Sequence, residues 1–186
     1  MEFTDLIQKR RSLRSLAPVK ITREMVLEMA SAVRLSPSCF NNQPWRFIFV
    51  IDPKKLQELF TTLSPGNEWA KKASAIAAIF SKKEFDCVIK EREFFQFDTG
   101  MATTFLLLKA TEMGLVAHPI AGFNYQAAQS ALRLPAEMSL IALVIIGRKS
   151  EILDASLSEK QKAMEPVRPE RLAPEKFIWF DGYEET

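Results

Sequence analysis

Leu140-Ile141-Ala142-Leu143-Val144-Ile145-Ile146 is the longest unbroken apolar run in the chain. It is far too short to cross a bilayer and has the length of a strand. A strand with apolar residues in both alternating sets must be covered on both faces. Residues 140–148 are therefore read as the central strand of a sheet. Working outward, 75–80 is a second short apolar run, read as a buried strand, and 45–51 is a mostly apolar strand. Residues 115–120 could form another. Helical spacing fills the gaps between them. Thr22 can cap a helix carrying Val26, Met29, Ala30 and Val33, which should stop at Ser36 because Pro37 follows. Asp52-Pro53 supplies a cap and a first-turn proline for a helix through Phe60. Asn124 can cap a further helix through Leu134. Thr4 can cap a first helix with Phe3, Leu6 and Ile7 as its stripe. A Ser64-Pro65-Gly66-Asn67 turn follows the third helix.

The longest helical stretch is 94–113, closed by Gly114 as a C′ residue. It carries Phe97, Met101, Phe105, Leu108 and Met113, with further apolar residues on its other faces. A helix apolar nearly all round is buried on all sides, and in so short a chain that predicts burial against a second subunit. Helices and strands mix without a repeating βαβ order, so the fold class is α+β, with a central, mostly antiparallel sheet flanked by helices. The chain divides into a main domain, 1–150, and a C-terminal arm, 151–186. Beyond Ser150 the arm is polar and proline-containing, then ends on Phe177-Ile178-Trp179-Phe180. That run is expected to add an edge strand to the core or to a partner subunit.

The totals narrow the function. With 186 residues, 47% hydrophobic and 26% charged, the composition is that of a globular domain. A net charge of +2 does not by itself imply a nucleic-acid partner. No signal peptide is visible, and no membrane association is expected. Two cysteines, Cys39 and Cys87, make no disulfide scaffold and fit reduced thiols in a cytoplasmic protein. One histidine, His118, and two distant cysteines cannot supply a metal tetrad.

Three segments carry chemistry. Arg10, Arg11 and Arg14 surround Ser12 at a helix end, with Arg10 and Arg14 on one helical face. Arginine forks suit phosphate oxygens and carbonyl edges, although a solvated basic helix end has the same composition. The loop Ser36-Pro37-Ser38-Cys39-Phe40-Asn41-Asn42-Gln43-Pro44-Trp45 offers short polar groups on a proline-fixed backbone. Its amides suit the edge of a heterocycle; the alternative is a turn satisfied by its own local bonds. Pro119-Ile120-Ala121-Gly122-Phe123 contains a glycine where backbone could approach a ligand, or simply turn.

These three segments, in this order and at these separations, resemble the nitroreductase family of flavoproteins over roughly residues 3–148, with an echo in the tail. The resemblance implies a homodimer with two FMN sites at the subunit interface. It implies that Arg10, Arg11, Ser12 and Arg14 contact FMN, Arg10 at the phosphate and Arg14 at the N1/O2 edge of the ring. Pro37, Ser38, Cys39 and Asn41 would reach the flavin across the interface, and Gln43 belongs to the same loop. Asn67 and Lys71 match residues that face the flavin pyrimidine. Pro119, Ile120, Ala121 and Gly122 match the strand end whose backbone N–H faces N5. Arg171 matches a second phosphate-binding residue. Pro169 stands where many members carry Lys or Arg, and Arg168 could substitute.

The flavin would carry the chemistry, so no protein nucleophile or catalytic residue is expected. A fixed cation such as Arg14 favours the negative charge that reduction places at the ring edge, and the Gly122 backbone would tune N5. NADH or NADPH would reduce the flavin and leave, and a nitroaromatic, quinone or similar small acceptor would follow in ping-pong order. No G-x-G-x-x-G stretch exists, so no Rossmann domain is expected. Alternatives with other chemistry are reductive dehalogenation, conversion of reduced flavin, or a non-catalytic flavin-binding dimer. His118 is read as a structural or pocket-edge residue, Cys39 as a packing residue and Cys87 as inert. Trp69 with Lys71-Lys72 is read as a mobile pocket edge or plain surface, and Asp98 as a helix-packing residue.

Overall fold

In a computed structural model, residues 2–183 are described. The apolar run at 140–146 lies in β7 (Ser139–Lys149), and β7 is the central strand. It pairs antiparallel with β3 (Ala75–Ser81) and with β6 (Val116–Ile120). Beyond β3 lies β2 (Arg46–Val50), again antiparallel, with Arg46 opposite Phe80. A two-residue strand, β1 (Leu16–Ala17), pairs with the far end of β7 at Arg148 and Lys149. A separate hairpin, β4 (Val88–Ile89) with β5 (Arg92–Glu93), precedes the long helix.

Alternation along β7 explains why its sequence does not alternate. Leu143 and Ile145 enter one apolar cluster; Val144 and Ile146 enter the other. Likewise Ile76 and Ala78 of β3 face the first, and Ala75, Ala77 and Ile79 the second. The first cluster is closed by α3 (Pro53–Phe60) and α5 (Tyr125–Ala131), through Leu56, Leu59, Phe60 and Ala128. The second is closed by α2 (Arg23–Val33) and α4 (Phe95–Glu112), through Met29, Val33, Ala102, Leu106 and Ala110. The result is an α+β sandwich with helices on both faces of an antiparallel sheet.

The cap residues act as expected. Thr22, Asp52 and Asn124 each accept a backbone N–H of the first turn. Gly114 adopts φ 76° just past the long helix. Several expectations need correction. The first helix, α1 (Phe3–Lys9), starts one residue before Thr4, has no side-chain cap and buries no residue. Helix α2 ends at Val33, before the expected Ser36, and α5 ends at Ala131, before the expected Leu134. The long helix is not buried all round within one chain. One face holds Phe95, Asp98, Ala102, Leu106 and Ala110, while Phe97 is 65% exposed and Met101, Phe105 and Leu108 are half-buried.

In the arm, α6 (Glu159–Met164) opens on a Ser158/Gln161 capping box that the sequence reading passed over. Residues 177–180 form no strand and are exposed. The cysteines are not reduced: Cys39 and Cys87 are joined in a disulfide. The pairing of two cysteines 48 residues apart is set by tertiary contacts that spacing alone does not reveal. Among the described residues, no helix is long and apolar enough to cross a membrane.

Candidate functional site

After Lys9 the chain leaves the helix. Arg10 has φ −61° and ψ 119°, and residues 10–15 lie outside any helix on the way into β1. Arg10 and Arg14 therefore do not share a helical face. Both line one cleft, while Leu13 beside Arg14 is buried. The Leu13 carbonyl accepts from Nδ1 of His118 at 3.0 Å. His118 is buried in β6 and stacks on Trp69, with ring centroids 4.7 Å apart. Trp69 is 1% exposed, so it is core and not a pocket edge. Burial pushes the His118 imidazole down to about 4; the Leu13 carbonyl opposes the shift, and nearby Arg14 and Arg10 add to it.

The C-terminal arm closes over this segment. The buried Glu165 carboxylate accepts the backbone N–H groups of Arg14 and Ser15, each at 2.9 Å. The Arg11 guanidinium donates to the carbonyls of Met164, Pro166 and Val167 at 2.8, 3.2 and 2.8 Å. Arg168 donates to the carbonyls of Gln8 and, at 2.9 Å, Arg10. Gln161 reaches the Gly66 carbonyl at 3.0 Å, tying the arm to the turn before Asn67.

Between the two segments lies a cleft of about 170 Å³ whose walls include Arg10, Ser12, Arg14, Arg168 and Arg171. Arg10 donates to Ser12 Oγ at 3.1 Å. Its guanidinium is held below its ordinary value, first by burial, then by Arg168, Arg171 and Arg11. Five like charges, Arg11 among them, gathered around one half-buried cleft repel each other unless an anion joins them. The donor set, forked guanidiniums and a hydroxyl, is the one a phosphate monoester satisfies. The residues present thus fit the phosphate end of a nucleotide. Arg11 stands apart, because its fork is committed to three carbonyls.

A second group adjoins through His118. At the end of β6 the Gly122 carbonyl accepts from Asn67 Nδ2 at 2.9 Å and from Ser64 N–H at 3.1 Å. A Cβ on Gly122 would run into the Asn67 amide nitrogen. The glycine leaves room for the Asn67 amide, while Pro119 and Ile120 just before it are held by pairing with β7. Lys71 is placed elsewhere. It lines a separate cleft of about 580 Å³ with Lys20 and Lys72.

The third group is the loop before β2. Ser38 Oγ accepts from Gln43 N–H at 3.0 Å, and Gln43 Nε2 donates to the Asn41 carbonyl at 3.3 Å. Phe40, Asn41 and Gln43 all take positive φ, at 48°, 57° and 50°. Cys39 N–H donates to Asp98 Oδ2 at 2.7 Å. Asp98 is 2% exposed, and burial, together with the neighbouring Asp86, raises its carboxyl against the opposing pull of that N–H. Pro37, Ser38, Cys39, Asn41 and Gln43 are thus clustered, but not with the arginines. The loop leads into Arg46, opposite Phe80, which is opposite Leu140; the arginine segment leads into Leu16, opposite Lys149. Those positions on β7 are about 30 Å apart at the rise of a strand.

Sequence reasoning found the arginines but missed Glu165 and the Leu13–His118 bond. The capping box at Ser158 was the available signal for an ordered segment around Glu165.

The nitroreductase family model matches residues 7–148. Protein DrgA of Synechocystis sp. is 27% identical over 184 residues, covering 81% of this chain and 86% of the relative. A protein of Archaeoglobus fulgidus, provisionally named an NADH dehydrogenase/NAD(P)H nitroreductase, is 25% identical over 184 residues, covering 95% of this chain and 99% of its own. A solved structure described as an oxidoreductase containing FMN superimposes with a TM-score of 0.84 at 25% identity, covering 100% of this chain and 95% of that one.

Proposed function

This chain belongs to the nitroreductase family of oxidoreductases, and on that premise we propose that it works as an FMN-dependent homodimer. It would use NADH or NADPH to reduce nitroaromatics, quinones or similar small acceptors. The observation that carries the reading is the cleft of Arg10, Ser12, Arg168 and Arg171, whose mutual repulsion calls for a phosphate.

In this reading Arg10, Ser12 and Arg171 hold the FMN phosphate, and Arg168 takes the place of the basic residue that Pro169 lacks. Arg11 acts one step removed, clasping the arm that delivers Arg168 and Arg171. Arg14 supplies the fixed cation at the ring edge, its backbone pinned by Glu165. Asn67 and Gly122 hold the β6 end against the ring, with Pro119, Ile120 and Ala121. Bound FMN would supply hydride transfer, accepting hydride from the nicotinamide and passing it to the acceptor. The protein's part is to bind, orient and bias that group by charge.

Two copies are needed because one chain holds its two polar motifs at opposite ends of β7. The loop of Pro37, Ser38, Cys39, Asn41 and Gln43 would come from the partner. The exposed Phe97, with half-buried Met101, Phe105 and Leu108 on the outer face of α4, supplies a surface for that contact. Residues 1–150 would form the flavin-binding domain, and residues beyond 150 the arm. Phe177, Ile178 and Phe180, all exposed in the single chain, would dock on the second copy. Lys71 has no assigned role toward the flavin of its own chain.

The test is the absorption spectrum of purified protein reconstituted with FMN, before and after anaerobic NADH and NADPH. A bound flavin that bleaches with either nucleotide and recovers on adding a quinone is expected. A protein that takes up no FMN refutes the reading.

A further inference from the structure

The Cys39–Cys87 disulfide lies outside the arginine cleft and joins two segments with little else in common. One is the loop before β2, the other the approach to the β4–β5 hairpin. Both cysteines are half-buried in the single chain. Beyond the disulfide, the loop meets that approach in one described hydrogen bond, Asn42 Nδ2 to Asp86 Oδ1 at 3.3 Å. The Cys39 N–H bond to Asp98 is its tie to α4.

The loop is also conformationally costly. Phe40, Asn41 and Gln43 each hold a positive φ without being glycine. Phe40 is 84% exposed, so burial of its ring does not offset that cost. The Ser38–Gln43 and Gln43–Asn41 bonds hold the second half of that shape, and the covalent link beside Phe40 holds the first.

We propose that Cys39–Cys87 is a reversible thiol–disulfide exchange site, opened by a dithiol, that holds residues 36–45 in their left-handed conformation. A thiolate of the dithiol attacks one cysteine sulfur, forming a mixed disulfide and releasing the other cysteine, which takes up a proton. The second thiol of the reagent then displaces the first cysteine and closes the reagent's own disulfide. The net change moves two electrons and two protons to the protein, leaving Cys39 and Cys87 as thiols. The Asp86 carboxylate lies with both sulfurs in a group whose polar atoms are all within 4.8 Å of one another. The closed pair holds no thiolate of its own, so the incoming reagent starts the exchange. Resting on the flavin reading above, the consequence is that opening the bond weakens the loop's hold on FMN. A reducing compartment would then favour the open form.

The experiment uses the full chain, purified without reductant. Free thiols are counted by alkylation and intact mass before and after dithiothreitol. Amide exchange of residues 36–45 is followed in both states and in Cys87→Ser. Two blocked thiols before reduction and two free after are expected. Exchange across 36–45 should quicken at least about tenfold on reduction and in Cys87→Ser, with α2 and β7 unchanged. Free thiols in the unreduced protein, or equal loop exchange in the two states, would overturn the proposal. FMN affinity is measured in parallel. Failure of both forms to bind FMN strikes the flavin reading and leaves the loop exchange to decide the disulfide's role.

Discussion

His118 is the chain's only histidine, which makes its protonation separable from all others. In the folded protein its pKa is pushed down to about 4 from the ordinary imidazole value of 6.5. A depressed base binds its proton more weakly when folded. Stability is therefore intact above the unfolded value of 6.5 and is lost as pH falls toward 4. Below 4 both states are protonated and the loss is complete. The full loss is about 3 kcal/mol, and at pH 5 about 2 kcal/mol of it is already felt. For a chain of this size, 2 kcal/mol corresponds to a fall of about 6 °C in melting temperature. Asp98 works in the opposite sense: its raised carboxyl gains stability as pH falls through its folded value. A variant that removes only the imidazole separates the two. His118→Gln sacrifices the stacking on Trp69, so it should be less stable at pH 7.5. It should nevertheless lose less on going to pH 5 than the parent, by about 2 kcal/mol. The assay is thermal unfolding of flavin-free protein at pH 7.5 and pH 5, parent against variant. Parallel losses in the two proteins would refute the view that His118 is buried neutral against the Leu13 carbonyl.

Other perturbations follow from the same geometry. Arg10→Ala should weaken FMN by roughly 30-fold, the effect of losing about 2 kcal/mol of charged hydrogen bonding, and leave riboflavin affinity unchanged; equal losses for both ligands would place the phosphate elsewhere. Gly122→Ala forces Asn67 away from the Gly122 carbonyl and should cost about 1–3 kcal/mol, read as a lower melting temperature with weaker FMN binding; an unaltered protein would mean the amide swings aside freely. Glu165→Ala leaves the Arg14 and Ser15 N–H groups unpaired at about 1–3 kcal/mol each. It should expose the arm to proteases and weaken FMN binding, although Glu165 does not line the cleft; an arm as resistant as the parent's would contradict its anchoring role.

The sheet was readable where the physics was local or strongly patterned. Leu140 to Ile146 announced the centre because both alternating sets are apolar. Thr22, Asp52 and Asn124 marked helix starts because a cap bonds within its own turn. Arg10 to Arg14 was misread as helix because strong helix formers precede and fill it. Its non-helical course is imposed from far away, by Leu13 entering the core, β1 pairing with Lys149, and Glu165 gripping two N–H groups. The same distance hid the disulfide. Strand β1 is two residues long, too short for any periodicity to register. The stretch 94–113 reads as apolar nearly all round and in need of a second subunit, and a single chain leaves Phe97 on it exposed.

The clasp between Arg11 and the Met164 to Val167 carbonyls joins residues more than 150 positions apart. At translation speeds of about 5–20 residues per second, the first arginines wait roughly ten seconds or more for the last ones to be made. Central strand β7 ends at Lys149, so the sheet closes only shortly before the carbonyls of the clasp are made. On the proposed function, flavin capture would therefore be an event of the finished molecule, after the arm has brought Arg168 and Arg171 to the cleft.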